Sequence, residues 1–456
     1  MRQREQFSSR LGFILLSAGC AIGLGNVWKF PFITGQYGGA IFVLIYLVFL
    51  VIFGIPIMTM EFSVGRASQK SVATAFHMLE PKGSKWHVFS WAAMAGNYLL
   101  MMFYTTVSGW LLAYLVYSAQ GRFTGLNADE VAGVFGGLVS NTGSVIFWMV
   151  LICLLGFGIC ALGLQKGVEK ITKIMMSALL VVLIILAVRS VTLPGALAGL
   201  EFYLKPSLEP IREYGLWTVI YAAMGQSFFT LSLGIGSMAI FGSYINRDRR
   251  LLGEAINITI LDTAVALLAG LIIIPACFAF GVSPDAGPPL IFITLPNIFN
   301  YMAGGRIWGT LFFVFMLFAA LSTVVAVFEN IIAFAIDKFN VTRQKACLYN
   351  LGAMIVLSLP CALGFNAWSG FQPIGEGTNI LDLEDFIVSY NLLPLGALIF
   401  LLFCVTRYGW KWDNFIAEAD AGEGRRFPAA LKPYFIYILP VLLLIFYIFG
   451  IIDFFS

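Results

Sequence analysis

The chain has 456 residues, 60% of them hydrophobic and 11% charged, with a formal net charge of +3 and a mean hydropathy of +0.90. No soluble fold buries that much apolar surface, so the solvent for most of it is lipid. The small basic excess is scattered over short connections and forms no nucleic-acid-binding pattern.

Candidate spans of about 20 or more apolar residues run over 12–37, 40–62, 88–119, 144–162, 166–190, 214–244, 251–281, 306–338, 345–365, 380–406 and 432–453. The expectation is an all-α membrane protein of about eleven transmembrane helices, a single domain over 1–456. Lys and Arg crowd the connections on one side, including Arg10, Arg66, Lys70, Lys82, Lys85, Arg249 and Arg343. That side is the cytoplasm, which puts the N-terminus inside and, with an odd number of helices, the C-terminus outside. The first apolar stretch is too long for a removable signal peptide and is expected to stay. All seven Cys fall in spans or at a helix start, so no disulfide framework is expected.

The first span is broken in its middle by Gly19-Cys-Ala-Ile-Gly23-Leu-Gly25-Asn26. In hydrocarbon an unpaired backbone group costs several kcal/mol, so unwound backbone survives only where it lines a cavity or meets a ligand. The break frees carbonyls at Gly19, Ala21 and Ile22, and Asn26 adds a side-chain oxygen. Beyond it, the Leu24 and Gly25 amides open a half-helix and can hold a carboxylate. Tyr104, in the third span, offers that carboxylate a hydroxyl.

A second break falls at Gly225-Gln-Ser-Phe-Phe-Thr-Leu-Ser-Leu-Gly234-Ile-Gly236, which frees the carbonyl and hydroxyl of Thr230. In the next span Asp262 sits mid-helix, where an acid costs roughly 2.5–3.5 kcal/mol unless paired or bound to a cation. Span eight carries Ser322 and Thr323, which with the carbonyls of Gly19, Ile22 and Ala319 make a second oxygen-rich cluster. Ser and Thr also back-bond to their own helix, the plainer explanation for that pair. Glu329 is a further acid in that span, expected to bond freed backbone. Charges at the ends suggest two closures: Lys29 with Asp385 at the outer end, and Arg4 with Asp337, beside Tyr244, at the inner one. The segment 282–305 is read as a short hairpin over the outer vestibule.

These residues, in this order, resemble the neurotransmitter:sodium symporter family, in its bacterial amino-acid transporter branch with the leucine-transporter fold. Its most specific stretches are Gly19 to Pro31, Gly225 to Gly234 and Ala319 to Thr323. The resemblance implies a 5+5 inverted repeat, approximately 8–190 and 214–407, with helices 1 and 6 unwound at the midplane and 432–453 as an extra helix. It implies that Ala21, Asn26, Thr230 and Asp262 ligate one sodium ion, and Gly19, Ile22, Ala319, Ser322 and Thr323 a second. Substrate contacts carried over are Ala21, Leu24, Gly25, Leu100, Tyr104, Phe229, Thr230, Ser232, Ile235, Thr323 and Val327. The gate pairs Lys29–Asp385 and Arg4–Asp337, with Tyr244, are implied as well.

Departures from the family pattern sharpen this. Gly23 stands where monoamine carriers have Asp, which leaves room for a substrate's own carboxylate. Asp262 stands where the family usually has Asn, and Ala266 replaces a residue that helps hold chloride. The fixed charge then does what chloride would do, with Tyr46 and Gln226 as remnants of the anion site. Lys29 replaces Arg and makes a single-point gate; Phe7 replaces a Trp, and Ser177 a Pro.

The expectation is sodium-coupled, chloride-independent symport of neutral, hydrophobic amino acids into a prokaryotic cell across its plasma membrane. Two sodium ions are expected and no organic cofactor, with membrane lipid as the surrounding partner and a monomer or weak homodimer as the assembly. A proton-coupled carrier on the same fold is an alternative, and a non-transporting amino-acid sensor another. An enzyme is not expected, since no His-Glu-x-x-His or Gly-x-Ser-x-Gly occurs.

Overall fold

The computed structural model describes residues 5–284 and 290–455. Eleven segments run through it in chain order. They are α1a Arg10–Ala21 and α1b Gly25–Gln36, α2 Ala40–Ser68, α3 Trp86–Gln120, α4 Thr142–Ala161 and α5 Leu164–Val191. Then follow α6a Leu216–Thr230 and α6b Ser237–Gly242, α7 Leu251–Ala279, α8 Gly305–Phe339, α9 Arg343–Leu363, α10 Ile380–Val405 and α11 Tyr434–Ile452. Among the described residues nine helices are long and apolar enough to cross a membrane, and the bent pair α1a and α1b makes a tenth. The eleventh expected span is the second broken segment, whose halves of 15 and 6 residues are each too short to cross alone.

Two packing patterns separate core from rim. Every residue of α8 from Ala319 to Phe334 is buried, which is what an all-round apolar helix at the centre of a bundle does. On α5 one stripe, Ile174, Val181, Ile184 and Val188, is exposed, while Met175, Leu179, Leu183 and Leu186 are buried. The spacing of that exposed stripe is helical, so it is a lipid-facing side.

The two breaks arise differently. α1a starts cleanly because Ser9 accepts the Gly12 N–H at 3.1 Å, a cap worth about 1 kcal/mol. It ends at Ile22, and the chain restarts at Gly25 with its axis turned by 56°. After α6a the backbone turns left-handed at Ser232 (φ 50°), Gly234 (φ 97°) and Gly236 (φ 77°). Glycine takes that conformation freely, while Ser232 carries strain of about 1–2 kcal/mol. Gly234 is also pressed against the backbone of Leu393 and Ala397 in α10, so a Cβ there would have no room. All of α6b is buried.

The segment read as a hairpin contains the short apolar helix Leu290–Tyr301. Its Phe292 ring stacks on Phe135 at 5.0 Å and meets Trp110 edge-on at 5.8 Å. Residues 285–289 of that hairpin lie outside the described residues.

Candidate functional site

Both breaks open onto the same place, and α7 supplies the charge between them. Asn26 Nδ2 donates to Asp262 Oδ1 at 2.8 Å and to the Asp262 carbonyl at 3.1 Å, and Thr230 Oγ1 donates to Asp262 Oδ2 at 3.0 Å. Asn26 Oδ1 in turn accepts the Gly23 N–H at 3.2 Å, which orients the amide. All three side chains are fully buried. One acid thus ties together both interrupted helices, while no Lys or Arg pairs with it among the described residues. A carboxylate held only by neutral donors is costly to bury as an ion, so in its charged form it needs a cation beside it. Beside it Gln226 Nε2 donates to the Gly25 carbonyl at 2.8 Å, leaving its buried Oε1 without a hydrogen-bond partner.

The second cluster surrounds one hydroxyl. Thr323 Oγ1 lies 3.2 Å from the Gly19 carbonyl, 3.4 Å from Cys20, 3.3 Å from Ile22 and 3.4 Å from Ala319. A hydroxyl has one proton, so it can satisfy one of those four oxygens at a time. Four carbonyls therefore converge on one proton, and the Cys20 carbonyl also accepts from Ser232 Oγ at 3.4 Å. Ser322 Oγ donates within its own helix to Ala319 at 2.9 Å, the local back-bond expected of such a residue.

Between the two clusters lies a cavity of about 20 Å³ bordered by Leu24, Gly25, Leu100, Tyr104, Phe229 and Ser232, together with Cys20, Gly23, Thr323 and Leu393. Ala21 also borders it, whereas Thr230, Ile235 and Val327 are buried nearby without lining it. A pocket of that size holds about one water molecule. The Leu24 N–H, expected to meet a carboxylate, here donates to Tyr104 Oη at 2.9 Å. Any acid that takes this amide displaces or recruits the tyrosine hydroxyl. Cys20 and Leu393 were not foreseen from the sequence. Neither was Asn97, which donates to the Ile235 carbonyl at 2.9 Å and accepts from Asn330 Nδ2 at 3.0 Å, bracing the second break from α3 and α8.

Of the two expected gate pairs, one is unformed in this structure and the other falls partly outside the described residues. Lys29 and Asp385 do not pair in this structure. Lys29 Nζ sits 4.2 Å from the centre of the Phe229 ring, over a wall of the cavity, and Asp385 accepts from Ser389 Oγ, its neighbour one turn on. At the other end Arg4 lies outside the described residues. Asp337 receives Lys70 Nζ at 3.4 Å and the Ser71 N–H at 2.8 Å.

Tyr244 donates to Glu329 Oε1 at 2.7 Å, and Arg343 clamps the same carboxylate at 2.7 and 2.9 Å while reaching Glu5 at 3.1 Å. Phe7 covers this network edge-on against Tyr244 at 5.7 Å, and its N–H donates to the Tyr244 carbonyl at 3.3 Å. Glu329 therefore does not bond freed backbone, as the sequence reading had it. Glu61 of α2 does, accepting the Gly234 N–H at 2.6 Å. Its signal lies in the sequence, as an acid within the second apolar run.

Because Glu329 is fully buried and Arg343 only 15% exposed, Arg343→Ala strands a charge. Breaking one side of a buried pair costs about 3 kcal/mol or more. Thermal unfolding in detergent is expected to fall clearly for Arg343→Ala and to recover in part when Glu329→Gln is added. Equal stability of the single variant and the native chain would show that the clamp contributes little.

The sequence profile described as the Sodium:neurotransmitter symporter family matches residues 4–130 and 130–456. Among curated relatives, the chain is 35% identical over 399 residues to an uncharacterized sodium-dependent transporter, YhdH, of Bacillus subtilis, covering 87% of each chain. It is 30% identical to a sodium-dependent transporter of Haemophilus influenzae across 98% of both chains. The crystal structure of MhsT in complex with L-phenylalanine superposes with a TM-score of 0.88 at 39% identity, covering 98% of this chain and 99% of that one. With two broken helices meeting over a buried acid, and matches that run the length of the sequence, this chain belongs to the sodium:neurotransmitter symporter family.

Proposed function

We propose that this member carries neutral amino acids with apolar side chains into the cell, driven by two sodium ions and without chloride. The single observation behind the reading is the Asp262 cluster, which links α1, α6a and α7 through one carboxylate. A first sodium ion would be ligated by Ala21, Asn26, Thr230 and Asp262, and a second by Gly19, Ile22, Ala319, Ser322 and Thr323. The amino-acid carboxylate would take the Leu24 and Gly25 amides beside the first ion, with Tyr104 close by. Leu100 and Phe229 on the cavity wall, with Ile235 and Val327 as buried apolar residues nearby, favour an apolar side chain, and L-phenylalanine in the related MhsT supports an amino acid as cargo.

Coupling follows from shared ligands: ion and substrate complete each other's shells, so each raises the other's affinity by the same factor. Segments 8–190 and 214–407 would act as inverted repeats that move against one another. The chain would lie in the plasma membrane with its N-terminus in the cytoplasm. Glu61, Asn97 and Asn330 are positioning residues in this scheme, because they hold the unwound backbone in place.

The test is uptake by purified protein in liposomes, with twenty labelled amino acids and outside sodium, potassium or choline. Uptake of apolar amino acids in sodium alone is expected. Equal uptake in choline at acidic pH would replace this reading with proton coupling, and binding without counterflow would replace it with a sensor. Chloride replaced by gluconate is expected to leave the rate nearly unchanged, since Asp262 already supplies the negative charge. A collapse in gluconate would reject chloride independence alone.

A further inference from the structure

The chain contains two histidines, and the fold brings both to one carboxylate, far from the breaks. His77 lies near the end of the short helix Val72–Leu79, Glu80 follows it, and His87 falls in the first turn of α3. The intervening Pro81-Lys82-Gly83-Ser84 reverses the chain, with Gly83 at φ 85° and the Ser84 N–H donating to the Pro81 carbonyl at 3.1 Å.

Glu80 Oε1 is 3.0 Å from His77 Nδ1 and 2.7 Å from His87 Nδ1, and the ring centres are 5.3 Å apart. One ligand atom from each of the three residues lies within 4.8 Å of the others. The second carboxylate oxygen is fixed from behind by Ser84 Oγ at 3.0 Å and the His87 backbone N–H at 3.2 Å. The side chain of Glu80 is 6% exposed while those of His77 and His87 are 72% and 42% exposed. An anchored anion thus faces two imidazoles that solvent can reach.

We propose that His77, Glu80 and His87 form a zinc site. Two imidazole nitrogens and one carboxylate oxygen are a ligand set zinc accepts, with bonds of about 2.0–2.2 Å and a fourth position left for water. Ligand atoms on such a tetrahedron sit roughly 3.3 Å apart, within reach of rotations of the exposed His77 ring. The nitrogens disfavour magnesium and calcium, which prefer oxygen. Glu80 is the anchored ligand and Ser84 its support. The bound ion would staple the end of Val72–Leu79 to the start of α3, the helix that carries Leu100 and Tyr104. At its other end the same short helix is docked through the Ser71 N–H to Asp337 at the foot of α8. The site rests on these side chains alone and requires no assumption about transport.

The experiment uses full-length protein without a histidine tag, stripped of metal by a chelator and titrated with zinc alone against a chromophoric competitor. One zinc per chain is expected, together with slower amide exchange over 77–88. Cobalt substitution should give the visible bands of a four-coordinate ion. His77→Ala and His87→Ala should each lose binding while unfolding at the native temperature in metal-free buffer. Ser84→Ala, which removes only the support, is expected to weaken binding by about 10–100-fold. Zinc stoichiometry unchanged in the double histidine variant would overturn the assignment, as would a native chain that binds no zinc and shows no change in exchange over that segment.

Discussion

Sodium-driven uptake is expected to collapse in an Asp262→Ala variant. The carboxylate accepts from Asn26 and Thr230, so its removal leaves the Thr230 hydroxyl without that acceptor, Asn26 with only the backbone carbonyl of residue 262, and the site without its acid. A charge about 4 Å from a cation is worth about 4 kcal/mol at an effective dielectric constant of about 20. Even half of that corresponds to about thirtyfold in sodium affinity. Asp262→Asn keeps an oxygen and much of the shape, so it separates charge from geometry. It should fold and bind substrate at high sodium while requiring about thirtyfold more of the ion. The measurement is labelled-substrate binding against sodium concentration in detergent. An unaltered sodium dependence in both variants would remove Asp262 from the ion site.

Gly23→Val is the second large effect, and its basis is steric. A Cβ at this position would overlap Tyr104 Oη and Thr323 Oγ1, one from each wall of the cavity. Overpacking costs about 1–3 kcal/mol in a well-packed interior, and the upper end equals roughly a hundredfold in binding. Because Thr323 belongs to the second oxygen cluster, sodium dependence and substrate affinity should fall together. Gly23→Ala with Tyr104→Phe removes one of the two clashes and should recover part of the binding. Size-exclusion behaviour and thermal unfolding distinguish a blocked site from a misfolded chain. Full binding by Gly23→Val would mean that substrate does not enter between α1, α3 and α8.

Much of this was legible in the sequence because lipid is a harsh solvent. Apolar runs long enough to span placed most helices to within two residues, with α3 beginning at Trp86 against an expected 88 and α8 ending at Phe339 against 338, while α2 runs on to Ser68 past an expected end at 62. The breaks were legible for the same reason: glycines and free polar groups within an apolar run have few tolerated explanations. Asp262 stood out through its cost.

What the sequence alone determined is therefore the solvent, the positions of the apolar helices, the two interruptions and the mid-helix acid, each set by local composition and the expense of unpaired groups in hydrocarbon. What only the tertiary structure decided is partnership. Glu329 sits in α8 and Arg343 just beyond it, yet which acid caps a break and which closes an end depended on α2 bringing Glu61 to Gly234. Lys29 lies over Phe229 and not against Asp385, and His77 and His87 meet on Glu80 through a tight turn. Such contacts depend on distances of a few ångströms between segments far apart in the chain, and hydrophobic periodicity carries no record of them.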